Sequence, residues 1–344
     1  MSDLILAKKV NVAILGATGL VGKSMLAILE DCNFPINELY LLASHRSAGK
    51  TIAFNNKMHV VLDVETFDFA KAHIALFSAG GEVSEKYAPL AAKKGCIVID
   101  NTSAFRYEKD IPLIIPEVNP GELIHYKNHN IIANPNCSTI QMLVALKPIY
   151  DAVGISRINV ATYQSVSGAG QSAISELVRQ STEVLNQRAV ESKIFPFQIA
   201  FNVIPQIDKF EDNGYTREEM KMVWETQKIL NDPNIKVNPT TVRVPVLYGH
   251  SEAINIETHK KITAQQAKTL LSTAPGVIVK DELVAGGYPS PVTDAAGHDA
   301  VYVGRIREDL SHPNGLNLWV VSDNIRKGAA LNSVQIAQML LKEI

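Results

Sequence analysis

A single cysteine lies where a helix would begin. In Asn134-Pro135-Asn136-Cys137-Ser138-Thr139, a Pro-containing turn runs directly into a helix-patterned stretch at 138–150. Unpaired backbone N–H groups and the dipole at a helix N-terminus favour the thiolate over the thiol. The thiolate is the nucleophilic form, so the placement suits covalent catalysis. A buried structural cysteine is the plain alternative.

A second chemical feature lies near the N-terminus. Gly16, Gly19 and Gly22 follow an apolar run at 10–15 and precede a helical pattern at 23–30. Strand, glycine turn and helix in that order let the backbone approach a pyrophosphate at the helix N-terminus. The spacing is GxxGxxG rather than the commoner GxGxxG. At the end of the next strand, 39–43, NAD sites usually carry an acidic residue. This chain has Ser44-His45-Arg46-Ser47 instead. Arg46 and Ser47 suit a 2′-phosphate, which predicts NADP.

A thiol nucleophile beside a nicotinamide cofactor points to aldehyde–thioester chemistry. The thiolate adds to an aldehyde, hydride leaves, and a thioester forms that needs water, phosphate or coenzyme A as acceptor. His250, at a glycine turn after a strand, is a candidate acid/base. Arg243 on the strand 240–246 could clamp a carboxylate through two hydrogen bonds. Glu218 and Lys221, three apart on a helical pattern, read by spacing alone as an exposed ion pair. Arg106 follows the strand 96–100, at the edge where open α/β sheets contact ligands. Cys32 and Cys96 read as structural, with Cys96 buried.

These groups need a scaffold, and the pattern supplies two. Short apolar strands at 10–15, 39–43, 74–78, 96–100 and 131–133, separated by helical stretches such as 83–94, predict a parallel Rossmann-type sheet. This NADP-binding domain spans 1–133 and is completed by a C-terminal helix at 324–344. Beyond it, longer alternating runs at 158–164, 240–246 and 252–258 predict a mostly antiparallel sheet covered by helices at 171–189 and 217–230. The resulting α+β catalytic and dimerisation domain spans 134–323, giving an α/β fold class overall.

The 344 residues, 46% hydrophobic, suffice for two cores, and 33 basic against 35 acidic residues leave a formal charge of −2. No basic tract or acidic tail invites nucleic acid or a membrane surface. Three dispersed cysteines argue for a reducing, cytoplasmic setting, and no His or Cys spacing suits a metal. The apolar run within 1–9 is too short for a signal peptide, and no stretch reaches the roughly 20 residues of a membrane span.

Read in order, GATGLVG at 16–22, SAGG at 78–81, DNTSAFR at 100–106, IPEVN at 115–119 and NPNCSTIQ at 134–141 form a specific series. SVSGAGQ at 165–171, FPFQIAFNVIPQID at 195–208, EEMK at 218–221 and RVPVLYGHS at 243–251 complete it. The chain resembles the bacterial aspartate-semialdehyde dehydrogenase family over nearly its whole length. The resemblance implies NADP-dependent reductive dephosphorylation of L-aspartyl 4-phosphate to L-aspartate 4-semialdehyde, on the route to lysine, methionine, threonine and isoleucine. It implies Cys137 as nucleophile, His250 as acid/base, and Gln164 as a residue orienting the acyl group. Arg243 and Glu218 would hold the substrate carboxylate and ammonium. Arg106, Lys221 and Asn136 would hold phosphate. Cofactor contacts would come from Gly16, Thr18, Gly19, Leu20, Val21, Arg46, Ser47, Ser167, Gly168 and Asn324. A homodimer formed through the second domain is also implied, with the segment 195–207 at the interface or in the core. Rival readings are another acyl-phosphate reductase, such as N-acetyl-glutamyl-phosphate reductase, and a non-catalytic Rossmann nucleotide-binding protein.

Overall fold

The computed structural model describes residues 9–344, so the reading of the segment before Lys9 lies outside the described residues. The chain forms two compact units, one running to Pro135 and resumed by Ala329–Ile344, the other Asn136–Gly328.

The first unit is built on a seven-stranded sheet. Its strands are β1 (Val10–Leu15), β2 (Ile36–Ala43), β3 (Thr51–Phe54), β4 (Lys57–Asp63), β5 (Ile74–Phe77), β6 (Ile97–Asp100) and β7 (Ile131–Ala133), in spatial order β3-β4-β2-β1-β5-β6-β7. All pairs are parallel except the β3–β4 hairpin. β1 is almost wholly buried, as a central strand covered on both faces must be. It pairs with β2 on one side and β5 on the other, so the order reverses there, and ligands gather at the carboxyl ends of strands around such a switch.

The hairpin at the sheet edge was not anticipated. Its two-residue loop, Asn55-Asn56, has φ of 47° and 58°, the left-handed pair a tight hairpin turn requires. Helix α1 (Leu20–Asp31) buries Gly22, Met25, Leu26, Ile28 and Leu29, one broad face at helical spacing. Helix α2 (Gly81–Lys93) lies against β6, and the C-terminal helix α7 (Leu331–Leu340) packs on α1.

The second unit has a six-stranded sheet. Its strands are β8 (Ile155–Gln164), β9 (Lys236–Arg243), β10 (His250–Thr258), β11 (Val277–Val279), β12 (Val301–Glu308) and β13 (Gly315–Ser322), in order β11-β12-β13-β10-β8-β9. The central pairs are antiparallel, but β8–β9 and β11–β12 are parallel, so the sheet is mixed. The parallel β8–β9 pair follows from its connection, a long crossover carrying α4 (Gln171–Leu185) and α5 (Arg217–Ile229).

Helix α3 (Cys137–Val153) packs across β8, β10, β12 and β13, and against α5 and α6 (Ala264–Ser272). Alternation along most of β10 buries His250, Glu252, Ile254, Ile256 and Thr258, and Ser251 is buried as well. In the segment 195–207, Ile199, Ala200, Ile204 and Ile207 are buried, whereas Phe197, Phe201 and Val203 are exposed. The segment is therefore partly core and partly open apolar surface. Among the described residues no helix is long and apolar enough to cross a membrane.

Candidate active site

Cys137 is the first residue of α3, and Asn136 is its N-cap. The Asn136 Oδ1 accepts hydrogen bonds from the backbone N–H groups of Ser138 (3.0 Å) and Thr139 (3.3 Å). Capping of this kind fixes the first turn and with it the thiol. Asn136 is tied down at both ends: its backbone N–H donates to Glu225 Oε2 (2.6 Å) and its Nδ2 to Glu218 Oε1 (2.9 Å). The Cys137 side chain is partly exposed. A Cβ on Gly328 would fall 2.7 Å from the Cys137 Cβ, so glycine is required beside the thiol.

Around this cap the second unit assembles charged side chains. Glu218 and Lys221 form a buried pair, Nζ to Oε2 3.0 Å, and Lys221 also reaches Asp208 Oδ2 at 2.9 Å. The expectation of an exposed pair is therefore wrong: the side chains are only 7% and 13% accessible, because α5 turns this face inward beneath α3. Burial by itself would push Glu218 up. The Lys221 ammonium, hydrogen bonds from Asn136 and Lys221, and the charge of Arg243 outweigh it and lower the pKa to about 2. Lys221 is raised in turn by Glu218 and Asp208 against its own burial. Gln164, the last residue of β8, donates from Nε2 to Ser138 Oγ (3.0 Å) and Glu218 Oε1 (3.2 Å), joining the thiol's helix to the ion pair.

Arg243 ends β9 opposite Gln164, so the strand stops earlier than the predicted 246. Its guanidinium is buried, donates to Ser165 O (2.7 Å), and shares an electrostatic interaction with Cys137. A cation beside the thiol stabilises the thiolate. His250 is the first residue of β10 rather than part of the preceding turn, and it is fully buried. Ser165 N–H donates to its Nδ1 at 3.0 Å. Burial, reinforced by Arg243, lowers the His250 pKa to about 3, so the ring is neutral near pH 7. With Nδ1 accepting from the backbone, the proton sits on Nε2. Gly168 faces both groups: a Cβ there would lie 3.0 Å from Arg243 Nη1 and 3.3 Å from His250 Nε2. Nearby, Asn324 Oδ1 accepts from Gly249 N–H (3.0 Å), Ser165 Oγ (3.0 Å) and Ser167 Oγ (3.2 Å).

Three groups here escaped the sequence reading. Glu225, seven residues after Glu218 and so on the same helix face, was findable by spacing. Ser165 lies inside the SVSGAGQ motif, and only its hydrogen bonds single it out. Glu252, two residues beyond His250 on the same face of β10, is fully buried near Gln141. Burial pushes its carboxyl well above the usual range.

The glycine turn is described within the first unit. Gly16 has φ of +91°, and a Cβ on Gly22 would sit 2.3 Å from Gly16 O. Gly19 caps α1 with no side-chain hydrogen bond, and no acidic residue lies in the first turn, which leaves the N-terminal amides for an anion. A cleft of about 570 Å³ opens there, lined by Gly16, Thr18, Gly19, Arg46 and Ser47, among others. The residues at the end of β2 carry no carboxylate; Glu65 and Glu82 line other parts of the cleft. This donor set fits a dinucleotide with an extra phosphate. Leu20 and Val21 open α1.

Arg106 is buried in the loop after β6, donating from Nη2 to Asn101 O (2.9 Å). The loop is pinned by Asp100, which accepts from Ser84 Oγ and Thr102 Oγ1, both at 2.7 Å. Cys96 is buried, and burial pushes its thiol up to about 12; it is inert as a nucleophile. Cys32 is exposed at the end of α1.

Comparison with known proteins adds identity to this geometry. Residues 11–126 match the family model "Semialdehyde dehydrogenase, NAD binding domain", and residues 146–327 match "Semialdehyde dehydrogenase, dimerisation domain". The chain is 63% identical to the aspartate-semialdehyde dehydrogenase of Shewanella violacea, covering 98% of this chain and 99% of that protein. It is 51% identical to that of Bacillus subtilis, covering 98% and 99%. Among solved structures, aspartate semialdehyde dehydrogenase II of Vibrio cholerae, complexed with ASA, superposes with a TM-score of 0.96 at 60% identity, covering 97% of this chain and 99% of that one. Two matched domains and full-length identity of this order place the chain in the aspartate-semialdehyde dehydrogenase family.

Proposed function

We propose that Cys137 is the covalent nucleophile of an NADP-dependent reductive dephosphorylation that converts L-aspartyl 4-phosphate to L-aspartate 4-semialdehyde. The oxidoreductase activity, its NADP cofactor and its place in amino-acid biosynthesis follow from family membership. The residue roles are our reading. The observation that carries it is the position of Cys137: capped by Asn136 at the head of α3, coupled to buried Arg243, and partly open.

In the first step the Cys137 sulfur attacks the acyl carbon, the C–S bond forms, and the C–O bond to phosphate breaks. Lys221 and Asn136 favour the departing phosphate, and the resemblance adds Arg106 to that role. Arg243 takes the substrate carboxylate and Glu218, ionised down to about pH 2, the ammonium. Gln164, fixed between Ser138 and Glu218, orients the acyl oxygen. The glycine turn with Thr18, Leu20 and Val21, and Arg46 and Ser47, would hold NADPH, which would supply the hydride; the resemblance adds Ser167, Gly168 and Asn324 to that role. The tetrahedral alkoxide then expels the Cys137 thiolate and releases the aldehyde. His250 serves the tetrahedral oxygen as hydrogen-bond donor and proton carrier through Nε2.

Inorganic phosphate is a co-product, and the reverse reaction consumes it. The working form is a homodimer, which the dimerisation-domain match supports, and the dispersed free cysteines favour a cytoplasmic setting. N-acetyl-glutamyl phosphate suits the site less well, since an acetylated amine has no use for the charge of Glu218.

Cys137→Ala tests the assignment. Turnover is expected to vanish while NADPH still binds in a fluorescence titration. Turnover near that of the unmodified protein would remove the covalent mechanism.

A further inference from the structure

The hydrogen bonds behind His250 define a task that the reacting groups cannot perform. A histidine that accepts a proton at Nε2 must carry another on Nδ1. The Ser165 backbone N–H, 3.0 Å from Nδ1, can only donate and opposes that state. One acceptor is recorded beside the same nitrogen: Ser165 Oγ, at 3.1 Å. Whether it can accept depends on where its own proton points. Asn324 Oδ1 lies 3.0 Å from Ser165 Oγ, and the Gly249 N–H donating to that same Oδ1 fixes which end of the amide faces the serine. The serine proton has acceptors in Asn324 Oδ1 and in Ser167 Oγ, also 3.0 Å away, and donating to either leaves a lone pair for Nδ1–H.

We propose that Ser165, oriented by Asn324, is the positioning residue that lets His250 alternate between a form protonated on Nε2 and a form protonated on Nδ1. Ser165 gives one nitrogen both a donor and an acceptor. In the first form the backbone N–H donates to Nδ1. In the second, Nδ1–H donates to Ser165 Oγ, and Oγ–H donates to Asn324 Oδ1. The proton that Nε2 takes from a substrate hydroxyl then produces an imidazolium with an acceptor in place. Ser165, Ser167 and Asn324 are each buried, so water does not substitute for the serine. The charges that bear on the ring are Arg243 from β9 and Glu218 from α5, with the Cys137 thiol of α3 acting on Arg243; Glu252 lies further along its own strand.

The inference rests on the acid/base reading of His250, and the variants separate the two. In Ser165→Ala only the opposing backbone donor remains. Single-turnover hydride transfer is expected to fall about tenfold to a hundredfold, the loss of one hydrogen bond to a charged group. The pH–rate limb of His250 should move down by about one to two pH units. Asn324→Asp places a carboxylate behind the serine and should move the same limb up. Ser165→Thr, which restores the hydroxyl, should recover the rate. Nitrogen-15 spectra of His250 should show both tautomers in the parent protein and the Nε2–H form alone in Ser165→Ala. An unchanged limb and tautomer in both Ser165→Ala and Asn324→Asp, with His250→Ala still crippled, would overturn this inference and leave the role of His250 standing. An unimpaired His250→Ala would overturn both.

Discussion

The two halves of the functional machinery are built on opposite principles. The cleft proposed for the cofactor in the first unit is made of backbone and missing side chains: Gly16, Gly19 and Gly22 matter for what they lack, and the N-terminus of α1 carries no side-chain cap. The proposed reaction centre of the second unit is made of buried side chains already bound to one another. Asn136, Gln164, Glu218, Lys221 and Arg243 are joined by hydrogen bonds and charge. The first kind of site fails when atoms are added, the second when a partner is removed.

Removal should therefore have the larger effects in the second unit. His250→Ala is expected to lower the rate of the chemical step by about 10²–10⁴-fold, the usual worth of acid/base assistance. Substrate binding should change far less, which rapid-quench kinetics would reveal. An unchanged single-turnover rate would make the buried ring a structural group. Lys221→Met strands Glu218 without its main counter-charge, and breaking one side of a buried pair costs about 3–5 kcal/mol. Urea denaturation should report that loss at pH 7. Glu218 has its pKa lowered on folding, from 4.5 to about 2. Its contribution is thus complete above about pH 4.5 and disappears as the pH falls toward 2, so the difference between the two proteins should shrink over that window. A pH-independent difference would mean that the lysine acts through packing alone.

Addition should be the damaging change in the first unit. An alanine at position 22 would put its methyl against Gly16 O and Ala17 Cα. Overpacking of this kind costs about 1–3 kcal/mol, and NADPH affinity should fall by about tenfold or more. The Cys137 centre, probed by thiol alkylation, should react as before. Unaltered NADPH binding would break the contrast between the halves.

The contrast also explains what could be read in advance. The glycine turn, the apolar strands around it and the Pro-Asn-Cys helix start are local signals, each set by backbone conformation within a few residues. They located the cleft at the glycine turn and the thiol at the head of α3. The Glu218–Lys221 pair looked like surface because helical spacing tells which residues share a face, not whether that face is covered. Only the packing of α5 beneath α3 decides that. His250 seemed to belong to a turn because Gly249 precedes it, yet its pairing with Ser322 begins a strand. The β3–β4 hairpin was missed because the apolar runs flanking Asn55-Asn56, Ile52-Ala53-Phe54 and Val60-Val61-Leu62, are only three residues long. The role of Ser165 depends on a partner 85 residues away, beyond the reach of any local pattern.

The account depends most on a covalent bond to one sulfur. The protein should be mixed with aspartyl phosphate in the absence of NADPH, quenched in acid, digested and examined by mass spectrometry. An aspartyl adduct on the peptide bearing Cys137, removed by hydroxylamine and absent from Cys137→Ala, is the predicted result. No adduct, or one carried by Cys32 or Cys96, would contradict it.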